Sequence, residues 1–230
     1  CPFIAAHRQT PATFMVLVPV PAFQDNYIWV WHDDARAIVV DPGQSDGIEA
    51  YLADNRLQLD SILVTHHHGD HTGGVARLQA LTGAQVFAPA TECPELQATR
   101  VTQGTQLQLL GKPCQVLHVP GHTAGHVAYV VADEADAPLL FCGDTLFSAG
   151  CGRLFEGTPA DMLASLDALA QLPAATRVCC THEYTLSNIR FALAVEPDND
   201  ALQHWQRTCQ ALRANQQPTL PSTLALECQI

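Results

Sequence analysis

Few short stretches restrict a fold as tightly as Thr65-His66-His67-His68-Gly69-Asp70-His71. It directly follows Ser61-Ile62-Leu63-Val64, an apolar run bounded by polar residues that reads as a buried strand. Four potential metal donors, His66, His68, Asp70 and His71, therefore leave one strand end together. His66 and His68 are two positions apart, so an extended backbone sends both to one side and His67 to the other. Gly69 eases the turn that brings in Asp70 and His71. A purification tag would sit at a terminus and would not interleave histidine with Asp and Gly. Two adjacent metal sites fed by one loop are expected.

Three later stretches repeat the pattern of apolar strand followed by ligand. Gln115–Gly121 leads to His122, Leu139–Gly143 to Asp144, and Arg177–Thr181 to His182. Donors at strand ends are held by a rigid sheet, which suits a preorganised site. Five histidines and two aspartates exceed the three protein ligands of a single catalytic zinc. They suit two metals roughly 3.5–4 Å apart. All donors are nitrogen or oxygen, so zinc comes first, with iron and manganese also accommodated. Cys142, two residues before Asp144, reads as packing. His126 is either a hydrogen-bonding neighbour of the site or an unrelated histidine. Asp41 is either an acceptor for a ligating imidazole N–H or the start of an Asx-turn before Pro42. His7, His32, His118 and His204 are expected on the surface or satisfied in the core.

Strands are predicted at Met15–Val20, Tyr27–His32, Ala37–Val40, Ser61–Val64, Gln85–Ala88, Gln106–Leu110, Gln115–Val119, Val127–Val131, Leu139–Cys142 and Arg177–Cys180. Helices are predicted at Gly47–Asn55, Val75–Leu81 and Asp161–Ala170, and helices alone from Leu186 onward. A sheet-rich domain closed by a small helical region follows. Residues 1–14 are expected to be a leader or expression remnant. The chain of 230 residues is 47% hydrophobic, which suits one large domain, and carries a net charge of −12. That acidity argues against nucleic-acid and membrane-surface partners. No apolar run reaches the roughly 20 residues needed to span a bilayer. Nine cysteines, odd in number and irregularly spaced, favour a reducing cytoplasm over a disulfide framework.

T-H-x-H-x-D-H behind an apolar strand, with His122, Asp144 and His182 following in that order, resembles the signature of the metallo-β-lactamase superfamily. The resemblance implies an α/β fold, an αββα sandwich, over residues 15–183, with a short C-terminal helical region at 184–230. It implies that His66, His68 and His122 hold one metal, that Asp70, His71 and His182 hold the second, and that Asp144 bridges both. Pro21–Trp29, Gly143–Thr158 and Thr181–Asn188 are similar to the corresponding stretches of the glyoxalase II family of hydroxyacylglutathione hydrolases. This likeness runs from about Val16 to Leu224. It implies hydrolysis of S-D-lactoylglutathione by a hydroxide between two metals, with Asp70 and Asp144 orienting the nucleophile. Arg153, Phe155, His182 and Tyr184 then become the substrate contacts, and a cytoplasmic monomer the expected form. The family's helical region carries basic residues that bind glutathione beyond Ile230; Arg190, Arg207 and Arg213 do not match them, so a raised KM is expected. A single-iron glutathione persulfide dioxygenase of the same superfamily is the alternative, although its pattern differs at Thr145-Leu146-Phe147.

Overall fold

The structure, a computed structural model, describes residues 14–132 and 136–230. The expectation for residues 1–14 falls, apart from Phe14, outside the described residues. The chain runs β1 (Val16–Ala22), β2 (Asn26–His32), β3 (Arg36–Val40), α1 (Asp46–Asn55), β4 (Gln58–Leu63), α2 (Gly69–Thr72), α3 (Val75–Thr82), β5 (Gln85–Pro89) and β6 (Thr99–Val101). It continues through β7 (Gln106–Leu109), β8 (Lys112–His118), β9 (Val127–Val131), β10 (Leu139–Gly143), β11 (Leu146–Phe147), β12 (Gly150–Cys151), α4 (Pro159–Ala170) and β13 (Arg177–Cys180). It closes with α5 (Thr185–Val195), α6 (Asp200–Ala214), β14 (Ser222–Thr223) and α7 (Leu224–Glu227).

Two six-stranded sheets result, one ordered β1-β2-β3-β4-β5-β6 and the other β14-β13-β10-β9-β8-β7. The alternation of side chains shows how they stack. In β2 and β3, Trp29, Trp31, Ile38 and Val40 face the second sheet, where Val116, Tyr129 and Phe141 meet them. Ile28, Val30, Ala37 and Val39 face the other way, onto Ile48 and Leu52 of α1 and Val75 and Leu78 of α3. Both faces of β2 are thus covered, and all seven of its residues are buried. This is the αββα sandwich that the resemblance implied. Two polar side chains tie the sheets across the core: Trp29 Nε1 donates to the Cys180 carbonyl at 2.9 Å, and Tyr129 Oη donates to the Val64 carbonyl at 2.9 Å.

β3, β4 and β5 are parallel, connected through α1 and α3, so the loops leaving their carboxyl ends emerge at one rim. β10 and β13 are parallel as well, with α4 between them. Pro159 begins α4, two residues before the predicted start, because Thr158 and Asp161 form a capping box and Pro fits the first turn. The end of the chain also differs from expectation. Helices do not close it alone: β14 returns to the second sheet and pairs antiparallel with β13, Val178 opposite Ser222. A two-residue strand carries no readable periodicity. Among the described residues no helix is long and apolar enough to cross a membrane. Cys142, Cys179 and Cys180 are buried free thiols, packed as expected.

Candidate metal centre

The four loops that carry the candidate donors converge at the shared rim of the two sheets. The first is held by Asp41, at the end of β3. Its carboxylate accepts from the Thr65 backbone N–H at 2.8 Å and from Thr65 Oγ1 at 2.7 Å, which anchors the start of the histidine heptad. Asp41 itself sits at φ 52, a left-handed conformation that Asp tolerates better than most residues. β10 ends at Gly143, also left-handed at φ 49, and a side chain there would press on the His126 ring at 2.9 Å. Small size at that position lets Asp144 enter the centre beside a packed imidazole.

His66, His68 and His122 stand together. His66 Nε2 and His122 Nε2 each lie 3.0 Å from His68 Nδ1. Nitrogens bound tetrahedrally to one ion at 2.0–2.1 Å sit about 3.3 Å apart, close to this spacing. Asp70, His71 and His182 form a second group, with His71 Nε2 and His182 Nε2 at 3.6 and 3.5 Å from Asp70 Oδ2. Asp144 lies between the groups: its Oδ2 is 3.5 Å from His122 Nε2 and 3.3 Å from His182 Nε2, and its Oδ1 is 3.4 Å from His71 Nε2. His67 faces outward, toward Glu92 and Glu156, as the two-residue alternation requires.

Each histidine that presents Nε2 has Nδ1 engaged elsewhere. The partners are Thr65 Oγ1 for His66 at 3.0 Å, Asp41 Oδ2 for His71 at 3.0 Å, the Arg153 carbonyl for His122 at 2.7 Å, and Asp25 Oδ1 for His182 at 2.9 Å. Such pairing fixes ring orientation and, where Nδ1–H donates, leaves Nε2 as the lone-pair donor. Asn26 Nδ2 donates to Asp70 Oδ2 at 3.0 Å and sets that carboxylate as well. His71 Nε2 and Asp144 Oδ1 are buried without a hydrogen-bond partner among the described residues, an arrangement a cation would satisfy. The donor set fits a dinuclear metal site.

Burial and neighbouring charge pull the groups of this centre in different directions. Burial opposes the charge on Asp144, yet His71 and His182 outweigh it and hold the carboxyl well below its ordinary value. Burial likewise opposes charging His71, but Asp144 and Asp41 push it well above 6.5. His66 goes the other way, lowered by burial and by the charge of His71 and His126. His126 is stacked on His66 with ring centroids 4.6 Å apart, and burial lowers it to about 3. It accepts from the Asp144 backbone N–H at 3.2 Å, so it belongs to the site's support.

Aromatic residues wall the centre on both sides. The Phe155 ring lies edge-on to His68 and His122, at 5.5 and 5.3 Å, and is 58% exposed. Arg153 sits over its face at 5.2 Å. Tyr184 stacks on His182 at 4.6 Å, and Phe147 closes the edge of both rings. Sequence reasoning assigned no role to Asp25, Asn26 or Thr65. Asp25 and Asn26 lay inside one of the stretches that carried the resemblance, so the signal was present without a chemical reading. Glu92, which accepts from the His67 backbone, had none.

Comparison with known proteins agrees with this geometry. Residues 20–182 match the model described as the metallo-beta-lactamase superfamily, and residues 183–230 match the hydroxyacylglutathione hydrolase C-terminus. A hydroxyacylglutathione hydrolase of Albidiferax ferrireducens is 63% identical over 94% of this chain and 85% of its own length. One of Cupriavidus taiwanensis is 57% identical over 92% of this chain and 83% of its own. Among solved structures, TTHA1623 in a di-iron-bound form superimposes with a TM-score of 0.60 and 29% identity, covering 72% of this chain and 91% of that one. With one model matching residues 20–182, the other residues 183–230, and relatives up to 63% identical over most of their own length, the chain belongs to the hydroxyacylglutathione hydrolase family of the metallo-beta-lactamase superfamily.

Proposed function

We propose that this chain hydrolyses S-D-lactoylglutathione to D-lactate and glutathione. The observation that carries the reading is Asp144, one buried carboxylate set between two three-residue donor groups, in a chain 63% identical to a hydroxyacylglutathione hydrolase. His66, His68 and His122 would hold one divalent ion, Asp70, His71 and His182 the other, and Asp144 would touch both. The donors suit zinc first, with iron or manganese as alternatives. Bound there, the ions supply Lewis acidity toward the thioester carbonyl and make water acidic enough to attack at neutral pH.

The protein's own groups do the rest. Asp144 and Asp70 offer carboxylate oxygens that orient the attacking water, and Asn26 keeps Asp70 turned inward. Phe155 and Tyr184 lie against the donor rings on either side of the centre, where they can shield the apolar parts of the substrate from water. Arg153, exposed at that rim, supplies a positive charge for a glutathione carboxylate. The thiolate leaves with little need for an acid. No serine or cysteine nucleophile is required. Residues 184–230 serve as the substrate-binding region in this reading, and the enzyme works as a cytoplasmic monomer.

Two donor groups fit two ions better than the single iron of a persulfide dioxygenase. The test pairs loss of thioester absorbance with S-D-lactoylglutathione and metal analysis of the same sample. Turnover with about two metals per chain is expected. No turnover by metal-loaded protein, or oxygen uptake with glutathione persulfide, refutes it.

A further inference from the structure

His67 turns away from the centre, and its surroundings are built. Its Nδ1 lies 3.1 Å from Glu92 Oε2, and its Nε2 lies 3.3 Å from Glu156 Oε1. Glu92 is 7% exposed. Its Oε2 also accepts from the His67 backbone N–H at 2.8 Å, and its Oε1 accepts from the Gly125 backbone N–H at 2.7 Å. One buried carboxylate thus holds the middle of the histidine heptad and the loop that joins His122 to His126.

Glu92 is itself held firmly. Arg100 of β6 donates to the carbonyls of Glu92, Cys93 and Leu96, at 2.9, 3.0 and 2.9 Å, and so wraps the loop that presents it. A side chain at Gly125 would meet Glu92 Cγ at 2.7 Å, so glycine there permits the approach. Glu156 accepts from the Ala124 backbone N–H at 2.8 Å and lies three residues beyond Arg153. His67, Glu92 and Glu156 are close enough to share a cation. The two carboxylates face opposite ring nitrogens, however, and Glu92 already satisfies two backbone donors. The ring therefore bridges them.

We propose that Glu92 is a positioning residue for the His66–His68–His122 group, fixing two ligand loops against each other, and that His67 and Glu156 extend this brace to the Arg153–Phe155 segment. The proposal rests on the dinuclear reading given above. Its consequence is asymmetric. The first group draws its donors from both loops that Glu92 clamps. The second draws on the far end of the heptad and on β13, which Glu92 does not touch. Loss of the clamp should therefore loosen one metal and spare the other.

The experiment strips the purified full chain with a chelator and titrates it with zinc against a chromophoric competitor. Wild type, Glu92→Gln and His67→Ala are compared. Glu92→Gln keeps the shape but replaces one of the two accepting oxygens with a donor that faces a backbone N–H, that of His67 or of Gly125. It is expected to weaken one binding event tenfold to a hundredfold and leave the other within about threefold. His67→Ala, at a partly exposed position and safe for folding, is expected to weaken the same event about threefold. A merely structural defect would weaken both events together or lower the melting temperature without separating them, and that result overturns the proposal. So does wild-type zinc binding in both variants, or in His67→Ala alone if Glu92→Gln fails to fold. Wild-type protein that takes up fewer than two zinc ions sinks the dinuclear reading instead, so the two failures are distinguishable.

Discussion

Asp41→Asn isolates one electrostatic contact in this centre. Asn adopts the left-handed backbone as readily as Asp, so the φ of 52 is preserved and strain is not added. Oδ1 can still accept from the Thr65 N–H. What is lost is the charge at Oδ2, which faces His71 Nδ1 at 3.0 Å and accepts from Thr65 Oγ1 at 2.7 Å. An amide N–H₂ placed there meets two donors, one of which, the hydroxyl, can rotate. Loss of a hydrogen bond to a charged group costs about 1.5–3 kcal/mol, and each 1.4 kcal/mol is tenfold, so zinc affinity should drop roughly 10- to 150-fold. Partners of ligating histidines typically contribute 10- to 100-fold in metal affinity, an independent figure of the same size. The assay is zinc competition on stripped protein, with kcat measured at saturating zinc to separate binding from chemistry. Zinc affinity within about twofold of wild type, in a variant of unchanged melting temperature, would show that Asp41 serves the fold alone.

Asp144→Ala should lower metal content and reduce kcat by several orders of magnitude, and a variant with two metals and near-normal kcat would refute the bridging assignment. Phe155→Ala should raise KM for lactoylglutathione several-fold with little change in kcat, because its ring flanks the donors without supplying one. Trp29→Ala removes a fully buried ring and its bond to the Cys180 carbonyl, and should cost about 3–5 kcal/mol in denaturant unfolding. Metal-free protein should be most stable near pH 6.5. His71 and His182 are raised above 6.5 in the folded chain, so stability falls as pH climbs from 6.5 through their raised values. His66 and His126 are lowered, so below 6.5 the unfolded chain takes up protons the folded one refuses, and stability falls again. Melting curves of chelated protein across this range check the sign on both sides, and a monotonic trend would refute it.

Most of the donor residues were readable because His66, His122, Asp144 and His182 each follow a strand end, where a short apolar run announces a rigid support, whereas Asp70 and His71 lie in α2, beyond the turn at Gly69. His66 and His68 needed only the two-residue alternation to be placed on one side. Their partners were not readable in the same way. Asp25 meets His182 across 157 positions, and Asn26 meets Asp70 across 44, with no periodicity to link them. Asp41 allowed two readings, since an aspartate before proline is ordinary turn chemistry. The structure shows the carboxylate spent on Thr65 and His71. His126 likewise allowed two readings, a hydrogen-bonding neighbour of the site or an unrelated histidine, and only the fold reveals that it is stacked on His66. The strands were found where alternation or apolar runs reached four residues. β6, β11, β12 and β14, of two or three residues each, fall below any pattern length.

β14 bears on the order in which the enzyme can assemble. Until Ser222 and Thr223 arrive, β13 has a neighbour only on the β10 side, and its other edge carries open N–H and C=O groups. His182 follows two residues after β13, so its backbone support is completed only after α5 and α6 have been made. The excursion through α5 and α6 leaves this edge and comes back to it, and Leu224 then donates to the Thr176 carbonyl at 3.0 Å. Glu227 reaches further and accepts from the Ala149 backbone N–H at 2.9 Å, next to the hairpin of β11 and β12. A nascent chain that has exposed every donor residue is still missing the strand that seals the last of them. During that interval the open edge is a place for another chain to pair, and metal loading after β14 has docked would find a more finished site than loading before it.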